Sequence, residues 1–365
     1  MEEKRDMDWD KKLILDDGSE FRGCSFGGRK DVVCELVFNT SMAGYQEILS
    51  DPSYTDQAVV MSYPLIGNYG ITNEDFESRV IAPSALGIRD LNEAPSNFRS
   101  TLTLSQLLEE HDIPGIFGVD TRKLVRHIRT QGSGRALLTG SEMPVQEGLQ
   151  IIHDNPERHD AIKRRSCVKK WYSRTSNPRF QVAVIDCGMK SNIVRMLNAN
   201  RCNVTVVPFN TSAEEILSLS PDGVLISNGP GDPMDVPEVI RTLRELHGIL
   251  PMFGICLGHQ LIALSFGART YKLKFGHRGG NHPVKNNLTG RIEITSQNHS
   301  YAVDESSLSG TGLKVSHRNL LDGTIEGLCS DRERVFSVQF HPESAPGPQD
   351  SGCLFRQFTE LMERR

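Results

Sequence analysis

The chain has 365 residues, enough for two or three domains that each bury a core, with 38% hydrophobic and 24% charged residues. Its net charge of −5 at pH 7 gives no reason to expect nucleic acid or an anionic membrane as a partner. No apolar run approaches the ~18 residues of a membrane span, and the segment Met1–Lys12 is too charged and acidic for a signal or transit peptide.

Residues 11 to about 65 read as β-rich. Lys11–Leu15 and Glu20–Cys24 flank an Asp17-Gly18 hairpin signal, and Val32–Phe38 and Ala58–Ser62 follow as strands. Two helices come next. Leu104–His111 sits behind a Thr103/Gln106 capping box, and Thr121–Thr130 is capped by Asp120 and closed by Gly132. From Pro144 to Pro178 the chain turns polar and weakly periodic, and it is basic at Lys163-Arg164-Arg165 and Lys169-Lys170. The organisation is therefore read as a smaller β-rich α/β domain over 1–145, an interdomain connection over 146–179, and a second domain over 180–365.

From Phe180 the texture becomes a regular β/α alternation. Strand Val182–Asp186 leads to a helix around Ile193–Leu197. Strand Val204–Val207 precedes a helix opened by Thr211, with Glu214 three residues on. Strand Gly223–Ile226 runs into the breaker-rich loop Asn228–Pro233, followed by a helix near Val239–His247. Short apolar strands separated by helical patterns predict a doubly wound, mostly parallel sheet. Ligands bind such sheets outside the carboxyl ends of the strands, where the Asn228–Asp232 loop falls.

The next strand, Met252–Ile255, delivers Cys256 between Gly254 and Gly258, ahead of a helical pattern closed by Gly267. This is the Cys form of the G-x-S-x-G nucleophile elbow. The turn is tight enough that side chains two residues before and after the nucleophile would clash, so glycine is needed at both places. The helix N-terminus carries roughly half a positive charge, which favours thiolate over thiol. The chain's eight cysteines show no C-x-x-C pair and no zinc spacing. No metal is expected, the compartment is read as a reducing cytoplasm, and a buried structural cysteine is the plain alternative for Cys256.

A catalytic cysteine needs a base, because a free thiol is only a few per cent ionised at neutral pH. His341 follows the predicted strand Val335–Phe340 in Phe340-His341-Pro342-Glu343. Pro342 forces His341 into an extended conformation, and a period of two then projects His341 and Glu343 to the same side. A carboxylate there would hold the imidazole in the tautomer that leaves its other nitrogen free for sulfur. A surface His-Pro-Glu turn is the alternative. Gly229 and Gly231 read either as a turn or as close backbone approach to a substrate or oxyanion, and no P-loop motif occurs anywhere.

Phe253–Gln260 (FGICLGHQ), Ser227–Pro233 (SNGPGDP) and Phe340–Glu343 (FHPE) together resemble the class I, or triad, glutamine amidotransferases. Phe38–Leu49, Asp51–Tyr54, Tyr63–Asn68, Asp120–Leu124 and Lys274–Pro283 resemble the signature of carbamoyl-phosphate synthetase small subunits. The resemblance implies a Cys256 nucleophile, a His341 base and an orienting Glu343. It implies L-glutamine contacts at Ser53, Gly229, Gly231, Leu257, Gln260, Asn298, Ser300 and Tyr301, with Ser53 contributed by the N-terminal domain. It also implies a separate large subunit that makes carbamoyl phosphate from bicarbonate, carrying the ATP and magnesium, with no cofactor in this chain. The family usually has glycine where Ser300 stands. If that position needs positive φ, serine is strained by about 1 kcal/mol; if its dihedrals are ordinary, serine is harmless. The alternatives are an amidotransferase subunit of another synthase, a stand-alone γ-glutamyl hydrolase, and a non-catalytic subunit that keeps the fold.

Overall fold

In the computed structural model, which describes residues 9–363, the chain divides into two compact units. The first comprises the described residues up to Ser50 together with Tyr54–Arg158. The second comprises Asp51–Ser53 and the described residues from His159 onward. Ser53, expected from the N-terminal domain, thus belongs with the second unit, although the chain before Asp51 and after Ser53 belongs to the first.

The first unit holds β1 (Lys11–Leu15), β2 (Glu20–Gly27), β3 (Val32–Asn39), α1 (Tyr45–Ser50), β4 (Gln57–Met61), β5 (Leu65–Ile66), β6 (Ala85–Gly87) and β7 (Asp90–Leu91). It continues through α2 (Leu104–Glu110), β8 (Pro114–Phe117), α3 (Thr121–Gln131), β9 (Arg135–Gly140) and α4 (Val145–Asp154). Seven strands close a barrel in the order β1-β2-β8-β6-β4-β3-β9, and closure removes the unpaired edges that an open sheet exposes. The hairpin joining β1 and β2 forms as expected, with Gly18 at φ 83. Thr103 and Gln106 make the reciprocal capping box, and the Asp120 side chain accepts from Lys123 N–H.

The second unit holds α5 (Ala161–Arg165), β10 (Trp171–Ser173), β11 (Phe180–Asp186), α6 (Ser191–Ala199), β12 (Cys202–Pro208), α7 (Ala213–Ser218), β13 (Gly223–Ile226) and α8 (Pro237–Leu246). It ends with β14 (Met252–Ile255), α9 (Leu257–Ser265), β15 (Thr270–Asn286), β16 (Ile292–Val303), β17 (Lys314–Asn319), β18 (Ile325–Ser330), β19 (Val335–Val338) and α10 (Cys353–Glu363). These strands form one ten-stranded sheet, β10-β12-β11-β13-β14-β19-β18-β17-β15-β16. The run from β12 to β19 is parallel, and the remaining pairings are antiparallel. Alternate residues of β11 serve opposite faces. Val182 and Val184 pack with Ile193 and Leu197 of α6 and Phe355 and Phe358 of α10. Ala183 and Ile185 pack with Ile216 of α7, Leu243 of α8 and Leu261 of α9. Burial on both faces is why these strands read as continuous apolar runs.

Three local expectations are corrected. The 146–179 stretch carries nearly all of α4, with α5 and β10, and divides between the units after Arg158. Helix α7 is capped by Ser212 with Glu215, not by Thr211 with Glu214, because the Thr211 hydroxyl turns back to donate to the Pro208 carbonyl. Strand β19 stops at Val338 rather than Phe340. Among the described residues no helix is long and apolar enough to cross a membrane.

Candidate active site

Cys256 stands alone between β14 and α9, at φ 52 and ψ −103, a backbone conformation that costs of order 1–3 kcal/mol for a non-glycine residue. Its N–H donates to Val338 O at 2.9 Å, which ties the bend to the parallel strand β19. A Cβ on Gly258 would lie 2.2 Å from the Ile226 carbonyl oxygen, and one on Gly254 would lie 2.6 Å from the Gly258 carbonyl oxygen. Both glycines are therefore required by backbone crossing backbone, as the elbow reading predicts. The sulfur lies 3.5 Å from Asn298 O and 3.6 Å from Gln339 Nε2. A thiol can donate to the first and a thiolate can accept from the second. Cys34 and Cys202 are pushed up by burial to about 12 and stay thiols.

His341 and Glu343 meet at 2.6 Å, Nδ1 to Oε1, and both are buried. They meet inside a turn rather than along an extended strand: Ser344 N–H donates to His341 O at 3.1 Å, and Ser344 has φ 59. A carboxylate only accepts, so Nδ1 carries the proton and Nε2 is left as the working nitrogen. Nε2 has no hydrogen-bond partner among the described residues. Burial lowers the His341 pKa, but Glu343 and then Cys256 outweigh it and lift the imidazole to about 10.

The predicted contact residues all lie in the second unit. Ser53 Oγ accepts from Asn228 Nδ2 at 2.9 Å, and Asn298 Nδ2 donates to Asp51 Oδ2 at 3.0 Å. Leu257 opens α9, and Gln260 one turn on donates to Tyr301 O at 2.9 Å and to Gln339 Oε1 at 3.1 Å. A Cβ on Gly229 would fall 2.2 Å from Cys187 O, and Gly231 has φ 85, so both glycines have a conformational or packing reason to be there. Ser300 lies within β16 without positive φ, so it carries no left-handed strain, and its Oγ accepts from Arg278 Nη2.

Three further residues join the site. Lys190, in the loop after β11, donates from Nζ to Glu343 Oε1 at 2.9 Å and to Ser344 O. Its place beyond a strand's carboxyl end was the available signal. Gln339, which touches the sulfur, stands two residues before His341. Asp51 accepts from Ser53 N–H, Asn228 and Asn298, which links the short 51–53 segment to the loop after β13 and to strand β16.

Burial raises Glu343, but Lys190 and His341 outweigh it and hold the carboxyl at about 2, against an ordinary 4.5. That depression contributes stability that is complete above pH 4.5 and lost as pH falls towards 2. Lys190→Met is expected to cost about 3–5 kcal/mol, since it leaves a buried carboxylate with one cation fewer. Acid unfolding followed by circular dichroism should then begin at a higher pH than in the wild type. An unchanged acid midpoint would remove Lys190 from this account.

Residues 183–361 match the family described as glutamine amidotransferase class-I, and residues 13–138 match that of the carbamoyl-phosphate synthase small chain, CPSase domain. The chain is similar to the carbamoyl phosphate synthase small chain of Listeria innocua, 49% identical over 350 residues that cover 96% of each chain. The small chain of Chlorobaculum tepidum is 50% identical over 367 residues, covering 96% of this chain and 97% of that one. The carbamoyl phosphate synthase pyrimidine-specific small chain of Halalkalibacterium halodurans is 50% identical over 353 residues, 97% of each.

Proposed function

The chain belongs to the carbamoyl-phosphate synthase small-chain family of class I glutamine amidotransferases, and on that premise we propose that Cys256, His341 and Glu343 hydrolyse L-glutamine through a γ-glutamyl thioester. The observation that carries the reading is the buried chain Lys190–Glu343–His341, whose histidine stands two residues beyond Gln339, the residue whose Nε2 lies 3.6 Å from the sulfur of the strained elbow cysteine.

The Cys256 thiolate attacks the γ-carboxamide carbon while His341 is protonated. The oxyanion is stabilised by the backbone N–H of Leu257 and the Gly229–Gly231 loop; one such donor is typically worth about 10²–10³ in rate. The C–N bond breaks as His341 Nε2 passes its proton to the leaving nitrogen, giving ammonia and the thioester. Acid–base help of this kind contributes about 10²–10⁴. Neutral His341 then takes a proton from water, whose oxygen displaces sulfur to release glutamate. Ser53, Gln260, Asn298, Ser300 and Tyr301 hold the amino acid end of the substrate. Ammonia passes to a separate large subunit that carries ATP and magnesium and makes carbamoyl phosphate for pyrimidine or arginine synthesis in the cytoplasm.

Glutamate release by the purified chain, with and without the large subunit, ATP and bicarbonate, tests this. Hydrolysis should be slow alone and faster in the complex, and glutamine should be preferred over a γ-glutamyl peptide. Equal rates alone and in the complex would sink the coupled reaction. Preference for the peptide would make the chain a stand-alone hydrolase.

A further inference from the structure

Beside the elbow, three strands bring nitrogen and oxygen donors to a single buried point. His277 on β15 and His299 on β16 are directly paired in the ladder, and Glu326 reaches in from β18. His277 Nδ1 lies 3.2 Å from His299 Nε2 and 3.5 Å from Glu326 Oε1, and the three donor atoms all lie within 4.8 Å of one another. A tetrahedral zinc with bonds of 2.0–2.2 Å has ligand-to-ligand edges of about 3.3–3.6 Å.

The outer ring nitrogens are already committed. His299 Nδ1 faces the Tyr301 carbonyl at 2.8 Å, and His277 Nε2 faces Asp322 Oδ2 at 2.8 Å. A carbonyl and a carboxylate only accept, so the outer nitrogens are placed to carry the protons and to turn the inner lone pairs inward. Gln297 Oε1 also lies 2.8 Å from His299 Nε2, so an ion there takes the place of that contact and requires the tautomer with the proton on Nδ1. Histidines that bind metals are held in this way, the far N–H donated to a carbonyl or carboxylate. Glu326 is 0% exposed; Asn319 Nδ2 holds Oε1 at 3.0 Å, while Oε2 has no hydrogen-bond partner among the described residues. A proton on His277 Nδ1 is the competing occupant: burial lowers this imidazole, but Asp322 and Glu326 outweigh it and lift it to about 9. A single N–H cannot serve the second carboxylate oxygen, whereas a cation can draw on both.

We propose that His277 Nδ1, His299 Nε2 and Glu326 bind one divalent first-row metal ion of the zinc class. Sequence spacing gives no hint of it, because the ligands come from three separate strands. The ion would brace β16 where that strand carries Asn298 to the Cys256 sulfur. The site is independent of the glutamine-hydrolysis reading and would stand if that reading failed.

The test is a titration of the metal-stripped full chain with Co²⁺, read by visible d–d absorption and followed by displacement with Zn²⁺. One equivalent should bind with the spectrum of a low-coordinate N/O site, free of thiolate charge transfer, and Cys256→Ser should bind equally. Asp322→Asn, which alters the partner of His277 and can keep Oδ1 as acceptor for Thr324, should weaken binding by about 10–100-fold with the circular dichroism unchanged. Glu326→Gln should weaken it further while keeping the wild-type circular dichroism. No saturable Co²⁺ in the wild type, binding lost in Cys256→Ser, or binding undiminished in both Asp322→Asn and Glu326→Gln would overturn the site and leave the proton as its occupant.

Discussion

Cys256→Ala is expected to lower glutamine hydrolysis by roughly 10⁴–10⁶, the scale on which removal of a triad nucleophile acts. The other buried cysteines cannot stand in for it: Cys34 and Cys202 are held as thiols at about 12 by burial, and Cys187 is raised well above its ordinary value by burial and by Asp186. The substitution keeps a Cβ at φ 52, so the backbone strain neither grows nor relaxes. The thermal midpoint should therefore move little, and the loss should fall on the chemical step. With the large subunit present and ammonium supplied, carbamoyl phosphate formation should continue, since only the nitrogen source has been removed. Activity within about tenfold of wild type would take the nucleophile role away from Cys256.

Gly258→Ala is expected to damage the fold and the chemistry together. The added Cβ would sit 2.2 Å from Ile226 O and 2.8 Å from Ile226 C, both backbone atoms of β13, so no side-chain rotation relieves the overlap. Helix α9 would have to move away from the sheet. Overpacking of this kind costs about 1–3 kcal/mol, with backbone clashes at the upper end or beyond. The same shift carries the helix N-terminus away from the sulfur. A displacement near 1 Å typically lowers a rate by about 10²-fold. Urea unfolding and glutaminase assays on the soluble variant should show both effects. A stable, fully active variant would mean that the elbow tolerates a side chain there, contrary to the geometry.

Legibility followed the range over which each feature is determined. The elbow could be read because its logic is local: Gly254, Cys256 and Gly258 share one strand–helix turn, and their mutual clearance sets the residue types. The capping box at Thr103 and Gln106 and the hairpin at Gly18 are local in the same sense. Period-two alternation predicts the His341–Glu343 pairing, but a turn closed by Ser344 N–H makes it. Likewise Thr211 resembles a helix cap until its hydroxyl is seen on Pro208, where a neighbouring carbonyl wins over the helix N–H groups.

By itself, then, the sequence determined the strand–helix alternation of the second unit, the strained cysteine between its glycines, and a histidine with a carboxylate two residues on. These depend on sterics and periodicity within a few residues. Only the tertiary structure decided what surrounds them. Lys190 reaches Glu343 across 153 residues, Asp51 reaches Asn298 across 247, and Gln339 is brought to the sulfur across 83. A buried charge or amide finds whichever partner the packed sheet brings within hydrogen-bond distance, and no spacing in the chain records that distance.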